Sequence, residues 1–249
     1  MITLLSSGLF SYAKSFSRTN QDSILAPQCI DNGYLIAVAD GVGSYLGAEH
    51  ASQTAIKYLA NLINASSIQD LDSLFATIKE KISALSDADE SYLEAATTLT
   101  FAYVNNQGLY IGHVGDCRLY IKKDNKLKQL TKDHTQHQKL LDQKIFNKKE
   151  LKDMGGKNTL TTAISKVIPL EFQQTFIPAS EVFEDNEEAT LYILSDGAHH
   201  FWDKRPRFSI TTLSNPNSFA ASLHKRIIRN GPIDDFSLVV AKFKRSSVN

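Results

Sequence analysis

A chain of 249 residues, 42% apolar and 22% charged, has the composition of ordinary globular protein and the length to bury a substantial core. Lysine plus arginine equals aspartate plus glutamate at 27 each, so no charge bias draws the chain to nucleic acid or to an anionic membrane. Cys29 and Cys117 are too few for a disulfide scaffold and form no CxxC pair, which points to a reducing compartment, the cytoplasm, and no stretch is apolar for long enough to span a bilayer.

The start, MITLLSSGLFSYAK, lacks a basic segment before its apolar residues and reads as a first strand, not a signal peptide. Residues 34–39 (YLIAVA) form a short apolar run between Gly33 and Asp40, the pattern of a buried strand. A glycine-rich turn, GVGSYLG, then leads into a helix whose apolar stripe is Ala51, Ala55, Leu59, Leu62 and Ile63. A second helix is predicted from about Ile68 to Leu85, with Leu71, Leu74, Phe75, Ile78 and Ile82 between them on one face. TLTFAYV, GLYIGHV and RLYIKK follow as a β-meander, the first turn being Asn105–Gly108, and 122–130 reads as another hairpin.

Residues 131–158 are polar and lysine-rich, with helical pieces around Leu140, Leu141, Ile145 and Leu151 that stop at Gly155 and Gly156. FQQTFIP and TLYILS read as strands, Phe219 to Arg229 as a last helix ended by Gly231 and Pro232, and SLVVAKF as the final strand. The mildly basic stretch 242–249 reads as a frayed tail. No internal repeat and no composition break appears, so residues 1–249 are expected to form a single domain of α+β class with antiparallel sheets.

Chemistry concentrates in aspartates at strand ends. Asp40 closes YLIAVAD, Asp116 follows LYIGHVG, Asp196 follows LYILS and Asp234 opens DDFSLVVAKF. Any one of these alone is a turn former or helix cap. Strands that alternate in direction bring such ends to one sheet edge, where clustered carboxylates repel one another unless a cation lies between them. Hard divalent ions with oxygen ligands meet that need. No GxSxG, no cysteine followed by a phosphate-cradling loop and no Walker lysine offers another route to catalysis.

Seven segments in order, NQDS (20–23), VADGVGS with LGAEHAS (38–52), ATTLTFAYV (96–104), GHVGDCRLYI (112–121), LTKDH (130–134), ILSDGAHHFWD (193–203) and PIDDFSLVV (232–240), together resemble the metal-dependent protein phosphatases of the protein phosphatase 2C type, and NQD is similar to bacterial members. The resemblance implies a four-layer α-β-β-α sandwich with two antiparallel sheets and a dinuclear metal site at one end. It implies two magnesium or manganese ions, with Asp40 bridging both, Gly41 ligating one through its carbonyl, and Asp196 and Asp234 ligating the other. On the same ground Asp22 holds metal-bound water and Asp116 serves a third, weaker ion. The implied reaction is hydrolysis of phosphoserine and phosphothreonine by a water or hydroxide bridging the two ions. Phosphorylated proteins, including a serine/threonine kinase or its substrates, are the implied partners in bacterial signalling, and 131–158 falls where the family has a variable flap.

Some positions depart from the pattern. Gln21 stands where many members have glutamate, and Arg18 is one residue nearer to it than the usual phosphate-binding arginine, so Arg18 either reaches phosphate or is a surface residue. Val42 replaces a histidine offered elsewhere as general acid. His134 and His137 are candidates for that task in principle and read better as solvated loop histidines. His199 and His200 replace Thr-Asp, which removes an acid from the third-ion region, and they read as structural residues or as ligands for a softer ion. Asp235 stands where asparagine is usual, so the two acids 234 and 235 compete for one role. A catalytically silent domain that binds a phosphoprotein or regulator is the alternative to an enzyme. A nuclease is disfavoured by the absence of a basic stripe.

Overall fold

The computed structural model describes residues 1–147 and 149–246; Lys148 in the 131–158 segment and the last three residues of the expected tail lie outside the described residues. Among the described residues the strands are β1 (Ile2–Tyr12), β2 (Asp22–Ile30), β3 (Gly33–Asp40), β4 (Ala96–Thr97), β5 (Leu99–Val104), β6 (Gly108–Val114), β7 (Arg118–Lys123), β8 (Lys126–Gln129), β9 (Ile164–Ser165), β10 (Gln173–Pro178), β11 (Glu188–Leu194) and β12 (Phe236–Arg245). The helices are α1 (Ala48–Ala60), α2 (Ser66–Gln69), α3 (Leu71–Ser83), α4 (Leu85–Ala88), α5 (Gln136–Asp142), α6 (Ala179–Val182), α7 (Asp196–Lys204), α8 (Ile210–Ser214) and α9 (Pro216–Asn230). Two antiparallel five-stranded sheets have the orders β1-β12-β11-β7-β8 and β10-β6-β5-β3-β2.

Why the central strands are apolar on every residue follows from this layering. On β3, Ile36 and Val38 face the other sheet, among Leu191, Ile193, Val239 and Ala241. Leu35, Ala37 and Ala39 face the other way, against Ala51, Ala55, Leu59 and Phe75 of α1 and α3. On β12, Leu238 and Val240 turn outward to Trp202, Phe219, Leu223 and Ile227 on α7 and α9. Both sheets are therefore covered on both faces, and alternation in hydropathy disappears from their inner strands. The resulting four layers, helix, sheet, sheet, helix, are those the resemblance implies.

Several expectations need correction. Helix α1 stops at Ala60, short of Leu62 and Ile63, and Ile63 is 89% exposed. The predicted helix from 68 to 85 is three pieces: Asp70 breaks it, its carboxylate accepting from the Ser73 amide at 3.2 Å to cap α3, and Leu85 opens the separate α4. The meander is also not one sheet. β5 and β6 pair in one sheet, but β7 pairs with β11 in the other, so the chain crosses between layers at Gly115–Cys117. The basic tail does not fray from 242: residues 242–245 complete β12, paired with Glu188–Thr190 on one side and Ile2–Ser6 on the other. Strand β2 escapes sequence reading because Pro27 interrupts it. Its place at the sheet edge, with a register shift between Leu25 and Gln28, accommodates that proline.

Candidate active site

Asp22 lies directly opposite Asp40 in the β2–β3 ladder, so two carboxylates start at the same end of one sheet. The Asp40 backbone is held from both sides: its N–H donates to Thr98 Oγ1 at 3.1 Å, and its carbonyl accepts from the Thr98 amide at 2.8 Å and from Thr97 Oγ1 at 3.0 Å. Gly41 continues past the strand end, its N–H donating to the Gln21 carbonyl at 3.1 Å. A Cβ there would stand 2.4 Å from the Ala48 carbonyl oxygen, which is why glycine is required where α1 packs.

The other acids arrive from the crossovers. Asp116 occupies the β6-to-β7 passage from one sheet to the other, beside Gly115 at φ 101°. Asp196 is the first residue of α7, directly after β11, and Asp234 precedes β12, the neighbour of β11. Asp40, Asp116, Asp196 and Asp234 line one cavity of about 180 Å³ together with Gly41 and Arg18. Asn158 and Leu160 close it from the segment after α5. Asp22 is not on the cavity wall. It lies buried behind it, one oxygen accepting from Ser195 Oγ at 2.8 Å while Oδ1 has no partner.

Burial pushes Asp22 up to about 7, with the charges of Asp196 and Asp235 adding to it against hydrogen bonds from Ser237 and Ser195. Burial likewise holds Asp40 well above the carboxylate range, reinforced by Asp22, Asp196, Asp116 and Asp234. Asp116 is raised by burial and then by Asp196 and Asp133, with Arg118 opposing. Asp196 is raised by burial, with the charge of Asp234 adding to it and His199 opposing. Burial first, and then their mutual repulsion, thus keep these four acids from being charged together without added positive charge.

That charge deficit is the test of whether cations fit. The cavity offers only oxygen donors, the donor chemistry of magnesium and manganese. Its volume of about 180 Å³ leaves room for ions that keep much of their hydration. Among the described residues no three acidic, histidine or cysteine side chains stand at the spacing of a closed protein-only site. Magnesium-like ions seldom use such a cage, being bound by one or two carboxylates and several waters. The residues present fit hard divalent ions on the grounds of donor type, crowded acids and the orphaned Asp22 oxygen.

Arg18 sits at the cavity mouth. Its Nη2 donates to Gln21 Oε1, and its guanidinium lies 3.8 Å from both Asp234 Oδ1 and Asp235 Oδ1. Glutamine at 21 therefore steadies Arg18 without cancelling its charge. The rivalry between the neighbouring acids is resolved by burial. Both acids line the cavity, but Asp235 is 4% exposed and its two oxygens accept from the backbone N–H groups of Lys14 and Gln21, each at 2.8 Å, whereas Asp234 is 49% exposed.

The histidines are placed differently from expectation. His134 is no solvated loop residue: it is partly buried, its Nδ1 accepts from the Gly115 amide at 3.2 Å, and its ring lies 4.8 Å from that of His113. His137 contacts the Gly155 carbonyl at 2.9 Å, and neither ring lines the cavity. His199 is buried against the Asp116 carbonyl, Nε2 to oxygen 3.2 Å, the structural alternative of the two. A network missed in the sequence ties these parts together. Arg118 binds Asp133 with Nε at 2.8 Å and Nη2 at 2.6 Å, and donates from Nη1 to Asp203 at 2.6 Å. The GDCR and LTKDH segments hold both partners of that pair, but nothing in either string announces the contact.

Residues 15–231 match the model of the protein phosphatase 2C family. The chain belongs to that family. It is 27% identical over 175 residues to the serine/threonine phosphatase stp of Listeria monocytogenes, covering 67% of each chain. The crystal structure of the Mycobacterium tuberculosis serine/threonine phosphatase PstP/Ppp superposes with a TM-score of 0.79 at 24% identity, covering 98% of this chain and all of that one. The catalytic domain of PstP in complex with two manganese ions gives 0.74 at 23% identity, with 98% and 100% covered. At those identities the two solved structures speak for the fold, and they share the two-sheet sandwich seen here.

Proposed function

We propose that this chain is a metal-dependent serine/threonine protein phosphatase, with two magnesium or manganese ions held in the carboxylate cavity. The observation that carries the reading is the convergence of Asp40, Asp116, Asp196 and Asp234, from four separate elements, on one cavity that also holds Gly41 and Arg18. Family membership supports the chemistry, and the named activities of the relatives support the substrate class.

On this reading Asp40, Asp196, Asp234 and the Gly41 carbonyl would hold the two ions, with Asp22 supporting them from behind the cavity wall. Asp116, on the same cavity wall, would serve a third, weaker ion. When bound, the ions supply an acidified water and positive charge opposite the phosphate oxygens. The chain supplies position: Thr97 and Thr98 hold the Asp40 backbone, Ser195 orients Asp22, and Asp235 ties the 14–21 loop so that Arg18 stays at the cavity mouth. Arg18 then orients the phosphate by paired N–H donors. The segment 131–158 acts as a flap over one side.

The partners are phosphorylated proteins, with a serine/threonine kinase or its substrates as the natural source of the phosphate. No helix among the described residues is long and apolar enough to cross a membrane, and two unpaired cysteines, Cys29 exposed, support a cytoplasmic place. The test is manganese-dependent hydrolysis of para-nitrophenyl phosphate and of a phosphothreonine peptide by wild type and Asp40→Asn. Wild type is expected to turn over both, and Asp40→Asn to lose roughly two orders of magnitude or more. Equal rates in the two proteins would remove the activity from this site.

A further inference from the structure

The flap that contributes Asn158 and Leu160 to the cavity wall is lysine-rich, and the phosphatase reading leaves that charge unused. Residues 131–158 carry seven lysines against four acids, a surplus of three in a chain whose total charge is zero. The positive charge of this segment is thus balanced by negative charge elsewhere on the molecule, an asymmetry centred on the flap.

The fold brings part of that charge to the cavity edge. Both ends of the flap are tied down: the Gln136 amide donates to the Thr159 carbonyl at 2.9 Å, and the His134 amide donates to the Gly115 carbonyl at 2.7 Å. Asn158 is thereby fixed on the cavity wall, which sets its exposed neighbour Lys157 at the rim. On α7, Asp196 also lines the cavity, and His200 and Lys204 follow at one-turn intervals on the same helical face. Lys204 is exposed and its ammonium lies 5.4 Å from the centre of the Phe201 ring, a contact that steadies the stem along the helix. Asn158 and Asp196 line the same cavity, so the flap end that carries Lys157 and the α7 face that carries His200 border it together. Burial first, and then the charges of Lys204 and Lys157, hold the His200 imidazole below its ordinary pKa. His200, Lys204 and Lys157 therefore form a donor-rich ledge from the floor of α7 to the end of the flap. None of the three has a carboxylate within salt-bridge distance among the described residues.

We propose that this ledge binds acidic residues flanking the phosphorylated serine or threonine of the substrate protein, so that the enzyme selects phosphosites in acidic sequence. The inference rests on the phosphatase reading and deepens it from reaction to substrate class. The phosphate enters the carboxylate cavity. Aspartate or glutamate side chains a few residues away lie over α7 and the flap end, where two ammonium groups attract them. A basic flank meets repulsion there, and the ledge discriminates by that difference as well as by attraction.

Two phosphothreonine peptides that differ only in their flanks, three aspartates against three lysines, test it with the manganese-loaded full chain. The readout is the ratio of kcat/KM for the acidic peptide over the basic one, measured within each protein so that any shared loss of turnover cancels. Wild type is expected to favour the acidic peptide by about tenfold at low salt, shrinking as salt screens the ledge. The exposed pair Lys157→Ala/Lys204→Ala is expected to cut the ratio to about threefold or less, and Lys157→Glu/Lys204→Glu to bring it to unity or below. A wild-type ratio near one, or the same ratio in all three proteins, overturns the proposal while leaving the phosphatase intact. A wild type inert toward both peptides and toward para-nitrophenyl phosphate overturns the phosphatase reading and this inference with it.

Discussion

Replacing Asp22 by asparagine in metal-free protein isolates the electrostatic cost of building the cavity. Asp22 is 5% exposed and keeps its proton up to about pH 7 in the folded chain, against 3.8 for the ordinary group. A carboxyl raised in this way favours the fold while protonated, and that contribution is lost as pH climbs from the unfolded pKa through the folded one. At ~1.4 kcal/mol per unit, the loss between pH 5 and pH 8 is about 2.5 kcal/mol for this residue. Asparagine keeps the acceptor for Ser195 Oγ and does not titrate, so it is expected to gain about 2.5 kcal/mol on wild type across that interval. Relief of Asp40, which Asp22 also pushes up, adds in the same direction. The wild-type curve alone does not serve, because His113 opposes it. Burial, with His134 beside it, holds His113 down to about 3, so the unfolded chain takes a proton below about 6.5 and the fold loses ~2 kcal/mol by pH 5. That contribution is common to both proteins and cancels in their difference. Urea denaturation at pH 5, 6, 7 and 8 with a chelator present measures the gap. Parallel curves, with a gap constant to ~0.5 kcal/mol, would refute the reasoning; excess manganese at pH 8 is expected to close or reverse the gap, since the ions replace protons as the neutralising charge.

Two further substitutions probe the frame of the site. Arg118→Ala leaves Asp133, 13% exposed, without its bidentate partner and is expected to cost about 3 kcal/mol in urea denaturation, with faster tryptic cleavage between 136 and 158 as the flap root loosens. Gly41→Ala puts a methyl 2.4 Å from the Ala48 carbonyl oxygen and 2.8 Å from that of Gln21, so a cost of about 1–3 kcal/mol is expected, with a roughly hundredfold fall in turnover as the Asp40–Gly41 turn shifts. Unchanged stability and turnover in that variant would mean the turn has slack that the packing does not show.

Much of the fold was legible because burial leaves a mark on composition. The run from Gly33 to Asp40 and the stripe from Leu71 to Ile82 announce themselves through residues that have no other reason to be apolar. The cavity acids were legible only as a set, since each alone reads as a turn former or helix cap and their repetition at the ends of apolar runs is what marks them. What stayed hidden depends on distant partners. Pro27 argues against a strand until the edge position of β2 is known. The switch of β7 into the second sheet is invisible because β5, β6 and β7 have equally good strand patterns, and pairing is decided by the partner across the ladder. Arg118, Asp133 and Asp203 are ordinary surface types in the string and become a network only once β7, the flap root and α7 are adjacent.

The same separation explains how one chain tolerates so crowded a set of acids. Each acid is anchored by packing that does not depend on the acid itself. Asp40 extends a strand buried on both faces, Asp196 begins a helix whose Gly197 fits only because it has no side chain, its missing Cβ lying 2.0 Å from the Asp235 carbonyl, and Asp116 rides a glycine-led crossover. Repulsion among them is therefore borne by the hydrophobic layers and relieved by protons or cations, while the acids themselves stay in place.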